Sequence, residues 1–209
     1  MSRRDAASDL GAILLAGGRG TRVDGAAKPL FEVGGRTLLS AAVNAVTDAG
    51  ARPITVASAM LDPGLDVVWV REEPPFGGPV AGAVTALESW KAAGTLPEWT
   101  FLLACDLPRA DAAVARLLAD LALLPGDSDG ICLGDSTSRP QWLTGIYRVP
   151  ALLSAAAELT AHGRDAPVRA LVEDLAITVV SVPDDLTDDI DTWEDLERAR
   201  RRATTEERS

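Results

Sequence analysis

The chain has 209 residues, 47% of them hydrophobic and 24% charged, with a formal net charge of -11. That length suits one sizeable α/β domain and is short for two. The acidic balance argues against nucleic acid and anionic membranes as principal partners, because both favour basic surfaces, but it leaves room for a small phosphate ligand on a local cationic loop.

From the N-terminus, Arg3-Arg4 begin as a secretory leader does, but Asp5 and Asp9 interrupt the pattern before any apolar run. No apolar stretch approaches the roughly 20 residues that span a bilayer. Residues 1–9 and 203–209 read as disordered polar ends around a single domain over 10–202. Cys105 and Cys132 lie in apolar segments and make no disulfide framework, so they read as buried thiols in a reducing cytoplasm.

The first predicted strand, Ala12–Ala16, runs into Leu15-Ala16-Gly17-Gly18-Arg19-Gly20-Thr21-Arg22 and on to Lys28. Glycines here let backbone N–H groups approach a ligand, and Arg22 and Lys28 suit phosphate oxygens. The same stretch could be an ordinary turn with solvated cations. However, Lys28 is one of only two lysines, with Lys91, among 20 basic residues. The loop is neither a Walker A motif, since Gly25 is separated from Lys28 by two alanines, nor a dinucleotide G-x-G-x-x-G, since Val23 stands at the third glycine position.

A helix over Thr37–Ala49 follows, then strands Ile54–Ala57 and Val67–Val70. The next loop, Glu72-Glu73-Pro74-Pro75-Phe76-Gly77-Gly78-Pro79, opens a helix over Val80–Ala92, and a helix N-terminus at Gly78 welcomes anions. Strand Phe101–Ala104 ends in Cys105-Asp106-Leu107-Pro108. Asp106 either caps the helix predicted over Ala110–Ala122 or presents a carboxylate for Mg²⁺, which needs only one or two carboxylates besides phosphates and water. Strands Gly130–Leu133 and Leu143–Tyr147, helices Pro150–Ala161 and Ala166–Leu175, and strand Ile177–Val182 complete the alternation. Last comes Asp189-Ile190-Asp191-Thr192-Trp193-Glu194-Asp195, in which Thr192 and Asp195 fit a capping pair for a helix over Thr192–Arg202. Asp189 and Asp191 read either as surface charge or, for Asp191, as an additional metal ligand.

Strands alternating with helices imply βαβ units: an α/β, Rossmann-like three-layer sandwich with a mainly parallel sheet. Ligands of such sheets sit outside the carboxyl ends of the strands, where the loops at Gly17, Glu72 and Asp106 converge. The single histidine, His162, beside Gly163, reads as a turn residue, and no serine elbow or zinc spacing is present.

In order and spacing, the glycine loop through Lys28, Gly78-Pro79-Val80-Ala81-Gly82, Cys105-Asp106-Leu107-Pro108 and Asp191-Thr192-Trp193-Glu194-Asp195-Leu196 resemble the nucleotidyltransferases of molybdenum-cofactor biosynthesis, above all the MobA-like guanylyltransferases. The likeness covers about residues 10–200. It implies transfer of GMP from GTP to the terminal phosphate of molybdopterin, with release of pyrophosphate and Mg²⁺ as cofactor, and association with other proteins of that pathway. It also implies that Leu15, Ala16, Gly17 and Lys28 bind GTP, that Asp106 binds nucleotide and Mg²⁺, and that an acidic nucleotide contact falls at Glu73. Gly18 and Gly78 join this set as backbone donors, Arg22 and Lys28 as catalytic cations, and Arg139 and Gln141 as acceptor contacts. The chain departs from the family at Val23-Asp24, where Met-Gly is usual, at Ala57, where Asn is usual, and at Asp189 and Asp191, where two Asn are usual. The Asp189 and Asp191 change keeps a cytidylyltransferase of the same fold open, Gly18-x-Gly20-Thr21-Arg22 and Lys28-Pro29-Leu30 resemble sugar-phosphate nucleotidyltransferases, and Val23-Asp24 with Ala57 keeps open a non-enzyme, a nucleotide-binding adaptor.

Overall fold

The structure is a computed structural model that describes residues 9–18 and 23–206. Among the described residues the strands are β1 (Leu10–Leu15), β2 (Glu32–Val33), β3 (Arg36–Thr37), β4 (Ile54–Ala57), β5 (Val68–Val70), β6 (Trp99–Ala104), β7 (Gly130–Gly134), β8 (Pro140–Arg148) and β9 (Ile177–Ser181). The α-helices are α1 (Leu38–Asp48), α2 (Pro79–Ala93), α3 (Ala110–Leu121), α4 (Val149–Glu158), α5 (Arg169–Val172) and α6 (Trp193–Glu206).

β1 is apolar and wholly buried, as expected of a central strand covered on both faces. Its side chains alternate between two cores. Leu10, Ala12 and Leu14 pack with α1 and α3, while Ile13 and Leu15 pack with α2, α4 and α5. Seven strands form one sheet in the order β5-β4-β1-β6-β8-β7-β9. All neighbours are parallel except β8, which runs antiparallel to both β6 and β7. The sheet is therefore mainly parallel, between two helical layers. From β1 the chain winds outward through β4 to β5, then returns to the opposite side of β1 as β6. That reversal opens a crevice between the carboxyl ends of β1 and β6, where Leu15 pairs with Ala104.

Local chemistry explains the helix ends near that edge. Thr37 caps α1, its side chain accepting from the Ser40 N–H at 3.1 Å. α2 starts from Gly78 at φ +90°, a conformation open to glycine, followed by Pro79 at the first helical position. Gly82, one turn on, lets α2 lie close to the sheet, because an added Cβ would sit 3.2 Å from Ala57 Cβ.

Four details depart from the sequence reading. The α4 prediction ran to Ala161, but the helix stops at Glu158, and Ala161 and His162 adopt positive φ before Gly163. The chain leaves the helix at Leu159, which is extended, and Gly163 beyond it is pressed against α2, an added Cβ meeting Val80 Cγ1 at 2.6 Å. The helix predicted over Ala166–Leu175 shrinks to the single turn of α5. α6 extends to Glu206, past the expected end at Arg202, and the Thr204 and Thr205 hydroxyls donate to carbonyls one turn earlier. The β2–β3 hairpin was not anticipated. Its turn, Gly34-Gly35, has both φ values positive, at 56° and 72°.

Candidate active site

A cavity of about 620 Å³ lies at the carboxyl edge of β5, β4, β1 and β6. Leu15, Ala16, Gly17, Gly18, Lys28, Gly78 and Asp106 all line it, so the structure gathers those predicted residues in one place. Asp191 lines it too, although 163 positions separate it from Lys28. Arg22 lies outside the described residues. Glu73 is not among the lining residues, whereas Glu72 is. The Gly77 N–H donates to Glu72 Oε1 at 3.1 Å, which ties that carboxylate to the loop opening α2, while Glu73 is exposed.

At the β1–β6 end the geometry is electrostatic. Lys28 Nζ donates to Asp191 Oδ1 at 2.5 Å and lies 4.0 Å from Asp106 Oδ2. Lys28 is delivered by a short 3-10 turn over Lys28–Leu30 that rests on buried Pro29. Asp191 is delivered by the start of α6. There the Asp195 carboxylate accepts from the N–H groups of Asp191 and Thr192, at 3.1 and 2.8 Å, and from the Thr192 hydroxyl at 2.8 Å. The Asp195 N–H returns a bond to Thr192 Oγ1 at 3.2 Å, which closes the capping pair. Against its own desolvation, these bonds and one from Arg198 hold Asp195 well below the usual carboxylate range, at about 2. The Ile190 N–H donates to the Asp106 carbonyl at 3.0 Å, stitching this segment to the end of β6.

Asp106 caps nothing: α3 starts from Arg109 with no side-chain cap. One Asp106 carboxylate oxygen, Oδ1, is buried and has no hydrogen-bond partner among the described residues. Burial pushes the Asp106 carboxyl up to about 6, with nearby Asp189 adding to the effect and Lys28 opposing it. Burial, then Asp191, raises Asp189 in the same direction. No group of three or more His, Cys, Asp or Glu with metal-holding geometry occurs among the described residues. A buried carboxylate oxygen lacking a donor, beside a second carboxylate, fits a hard divalent cation that takes its other ligands from phosphates and water. Cys105 borders the cavity, but burial pushes its thiol far up, so it stays protonated and unreactive.

At the β5 end, Arg71, Glu72 and Phe76 complete the cavity, with the Arg71 guanidinium 5.4 Å from the centre of the Phe76 ring. Three strand spacings of about 4.8 Å separate the two ends, about 14 Å in all. That length accommodates a nucleoside triphosphate.

Residues 12–180 match the family model of the MobA-like NTP transferase domain. The chain belongs to that family. It is 30% identical over 203 residues to a probable molybdenum cofactor guanylyltransferase of Opitutus terrae, covering 94% of this chain and 97% of that protein. Among solved structures it resembles molybdopterin-guanine dinucleotide biosynthesis protein A from Archaeoglobus fulgidus, with a TM-score of 0.67 and 17% identity, over 93% of this chain and 99% of that one. It resembles 2-C-methyl-D-erythritol 4-phosphate cytidylyltransferase from Thermus thermophilus to a similar degree, with a TM-score of 0.64 and 19% identity, over 94% and 99%. These two likenesses show the shared fold. As a member of the MobA-like family the protein is a nucleotidyltransferase, and its cavity sits at the sheet edge where α/β folds of this kind hold ligands. No helix among the described residues is long and apolar enough to cross a membrane.

Arg71, Ser58 and Phe76 line the cavity but were not singled out from the sequence. The position of Arg71 directly after a predicted strand was the available signal.

Proposed function

We propose that the protein is a molybdenum cofactor guanylyltransferase that moves GMP from GTP to the terminal phosphate of molybdopterin. The observation that carries this reading is the cavity itself, with a cation between two carboxylates at one end and room for a nucleoside at the other. The guanylyltransferase name of the 30%-identical relative supports the choice of reaction.

In this reading the acceptor phosphate oxygen attacks the α-phosphorus of GTP in line, and pyrophosphate leaves. The enzyme's part is to position two anions and neutralise the charge that builds between them. Lys28 and the N–H groups of the Gly17-Gly18 loop are the proposed phosphate contacts, and Arg22, outside the described residues, is a catalytic cation in the sequence reading. The N-terminus of α2 at Gly78, next to the Gly77 N–H that holds Glu72, adds backbone N–H groups nearer the β5 end of the cavity. Asp106 and Asp191 would hold Mg²⁺, which supplies further neutralisation as a Lewis acid. Arg139 and Gln141 precede and open β8, whose first residues lie at the same sheet edge because β8 is antiparallel to β6. They are the proposed acceptor contacts.

Guanine is the proposed base for two reasons. The Gly17 position leaves room for a purine, since an added Cβ would meet only the Ala57 carbonyl, at 3.5 Å. The far end also carries both a cationic fork, Arg71, and a carboxylate, Glu72. Guanine offers a pair of acceptors, O6 and N7, that suits the fork, and a pair of N–H donors that suits the carboxylate.

Pyrophosphate release, measured with molybdopterin and each of the four nucleoside triphosphates, tests the reading. GTP is expected to be the efficient donor. Equal or better efficiency with CTP would replace this reading with the cytidylyltransferase one, and GTP binding without release would favour the adaptor.

A further inference from the structure

Lys28 stands beside two carboxylates and is hydrogen-bonded to one of them. Its ammonium donates at 2.5 Å to Asp191 Oδ1, well within hydrogen-bond range, and stands 4.0 Å from Asp106 Oδ2, beyond it. Asp106 Oδ1 is meanwhile buried without a partner among the described residues. The ammonium therefore lies between the two carboxylates proposed to hold a divalent cation. A Mg²⁺ ion held by both carboxylates at about 2.0–2.1 Å would stand in the space between them that the ammonium now fills. The two cations also repel each other.

We propose that Lys28 is the resident counter-ion of the Asp106–Asp191 pair in the nucleotide-free protein, and that it must leave Asp191 when a divalent cation binds. This rests on the reading of Asp106 and Asp191 as cation ligands. The released ammonium keeps its anchor on the 3-10 turn at Lys28–Leu30 and swings on a flexible four-carbon stem. Its next anion is the triphosphate in the same cavity. Divalent cation and nucleotide then favour each other's binding through one side chain, because each removes a reason for Lys28 to stay on Asp191. Lys28 thus acts before the chemical step as well as in it, and Asp191 positions the lysine until the cation replaces it.

The lysine content makes the exchange directly observable. The chain has only Lys28 and Lys91, and Lys91 lies in the last turn of α2. Lysine labelled with ¹³C and ¹⁵N at the side-chain terminus gives two resonances, one of them an internal control. Titrating the nucleotide-free protein with MgCl₂ alone is expected to move the Lys28 signal saturably and leave Lys91 in place. In parallel, Mn²⁺ affinity is measured by electron paramagnetic resonance for the wild type, Lys28→Met, Asp191→Asn and the double variant. Lys28→Met is expected to bind Mn²⁺ about fivefold more tightly or better, at the lower end of ordinary coupling between sites. That gain should vanish in the Asp191→Asn background, where there is no shared carboxylate to compete for. An unchanged Mn²⁺ affinity in Lys28→Met overturns the proposal, as does a gain that persists in full without Asp191, since that would be general charge repulsion. If neither the wild type nor Lys28→Met binds Mn²⁺ with or without GTP, the reading of the carboxylates as cation ligands falls too. GTP-dependent Mn²⁺ binding with a motionless Lys28 signal would sink the exchange alone.

Discussion

Asp106 is costly to the fold in the form the chemistry needs. Its carboxyl titrates at about 6 in the folded protein against an ordinary 3.8, chiefly because burial disfavours the charge. Between those two pH values the native state binds the proton more tightly than the unfolded chain does, so stability falls as pH rises through the window and stays lower above it. Asp106→Asn removes that penalty. In chelator, the variant is expected to be about 1–3 kcal/mol more stable than the wild type at pH 7.5 by denaturant unfolding, with the advantage gone below pH 4. Pyrophosphate release in Mg²⁺ should be abolished. An unchanged pH 7.5 stability would show that solvent reaches the carboxyl more freely than its burial implies.

Lys28 carries the complementary charge. Lys28→Ala is expected to lower kcat by about 10²–10³, the effect of losing one preorganised electrostatic donor. Lys28→Arg should restore part of that, since a planar fork cannot reproduce a point charge on a narrow stem. Steady-state kinetics with saturating GTP separates these outcomes. At Gly17, φ is ordinary and the space beside it tolerates a methyl group, so Gly17→Ala should fold normally. It is expected to lower kcat/KM for GTP more than for CTP, and a parallel loss with both nucleotides would remove Gly17 from base selection.

At the scale of elements, the start of α6 acts as a bracket. Asp195 accepts three hydrogen bonds from Asp191 and Thr192, which fixes the turn that aims Asp191 at Lys28. Asp195→Ala is expected to cost about 0.5–2 kcal/mol, as loss of a helix cap does, with melting temperature as the readout. It should also weaken Mn²⁺ binding by about tenfold, the scale for losing the support behind a ligand. Arg198→Ala, which removes a 2.6 Å contact to the other Asp195 oxygen, serves as the control that leaves the bracket intact. On the other helical layer, the Trp90 indole N–H donates at 2.7 Å to Thr55 Oγ1, and both residues are buried. Thr55→Val preserves the shape but strands the indole N–H, so unfolding free energy should drop by about 1–3 kcal/mol with catalysis unaffected.

For the whole molecule, the site draws on the ends of four strands and the first turns of two helices. A nucleotide seated there ties β5 to β6 and α2 to α6. Binding to the native state alone stabilises by about 2.7 kcal/mol at a hundredfold excess over Kd, which for a chain of this size raises Tm by about 5–10 °C. GTP with Mg²⁺ is expected to give that shift, and CTP at equal concentration a smaller one. Equal shifts with all four triphosphates would place recognition on the phosphates only.

What the sequence determined by itself is whatever short-range periodicity and turn chemistry encode. The apolar run of β1, the glycines after it, Asp106 at the end of β6 and the Thr192–Asp195 capping pair all rest on neighbours within a few positions. These place strands, helices and their capping residues without any knowledge of packing. The tertiary structure decided what distant segments do to each other. It made β8 antiparallel to β6 and β7, because strand order and direction depend on how the layers close over the sheet. It brought Gly163, past the end of α4, against Val80 of α2. It set Glu72 rather than Glu73 along the cavity, tied to a backbone N–H five residues on. Above all it set Lys28 against Asp191 across 163 positions and left one Asp106 oxygen without a donor among the described residues. No local pattern encodes such a pairing, since the distance between two charges far apart in the chain is fixed only when the core between them has packed.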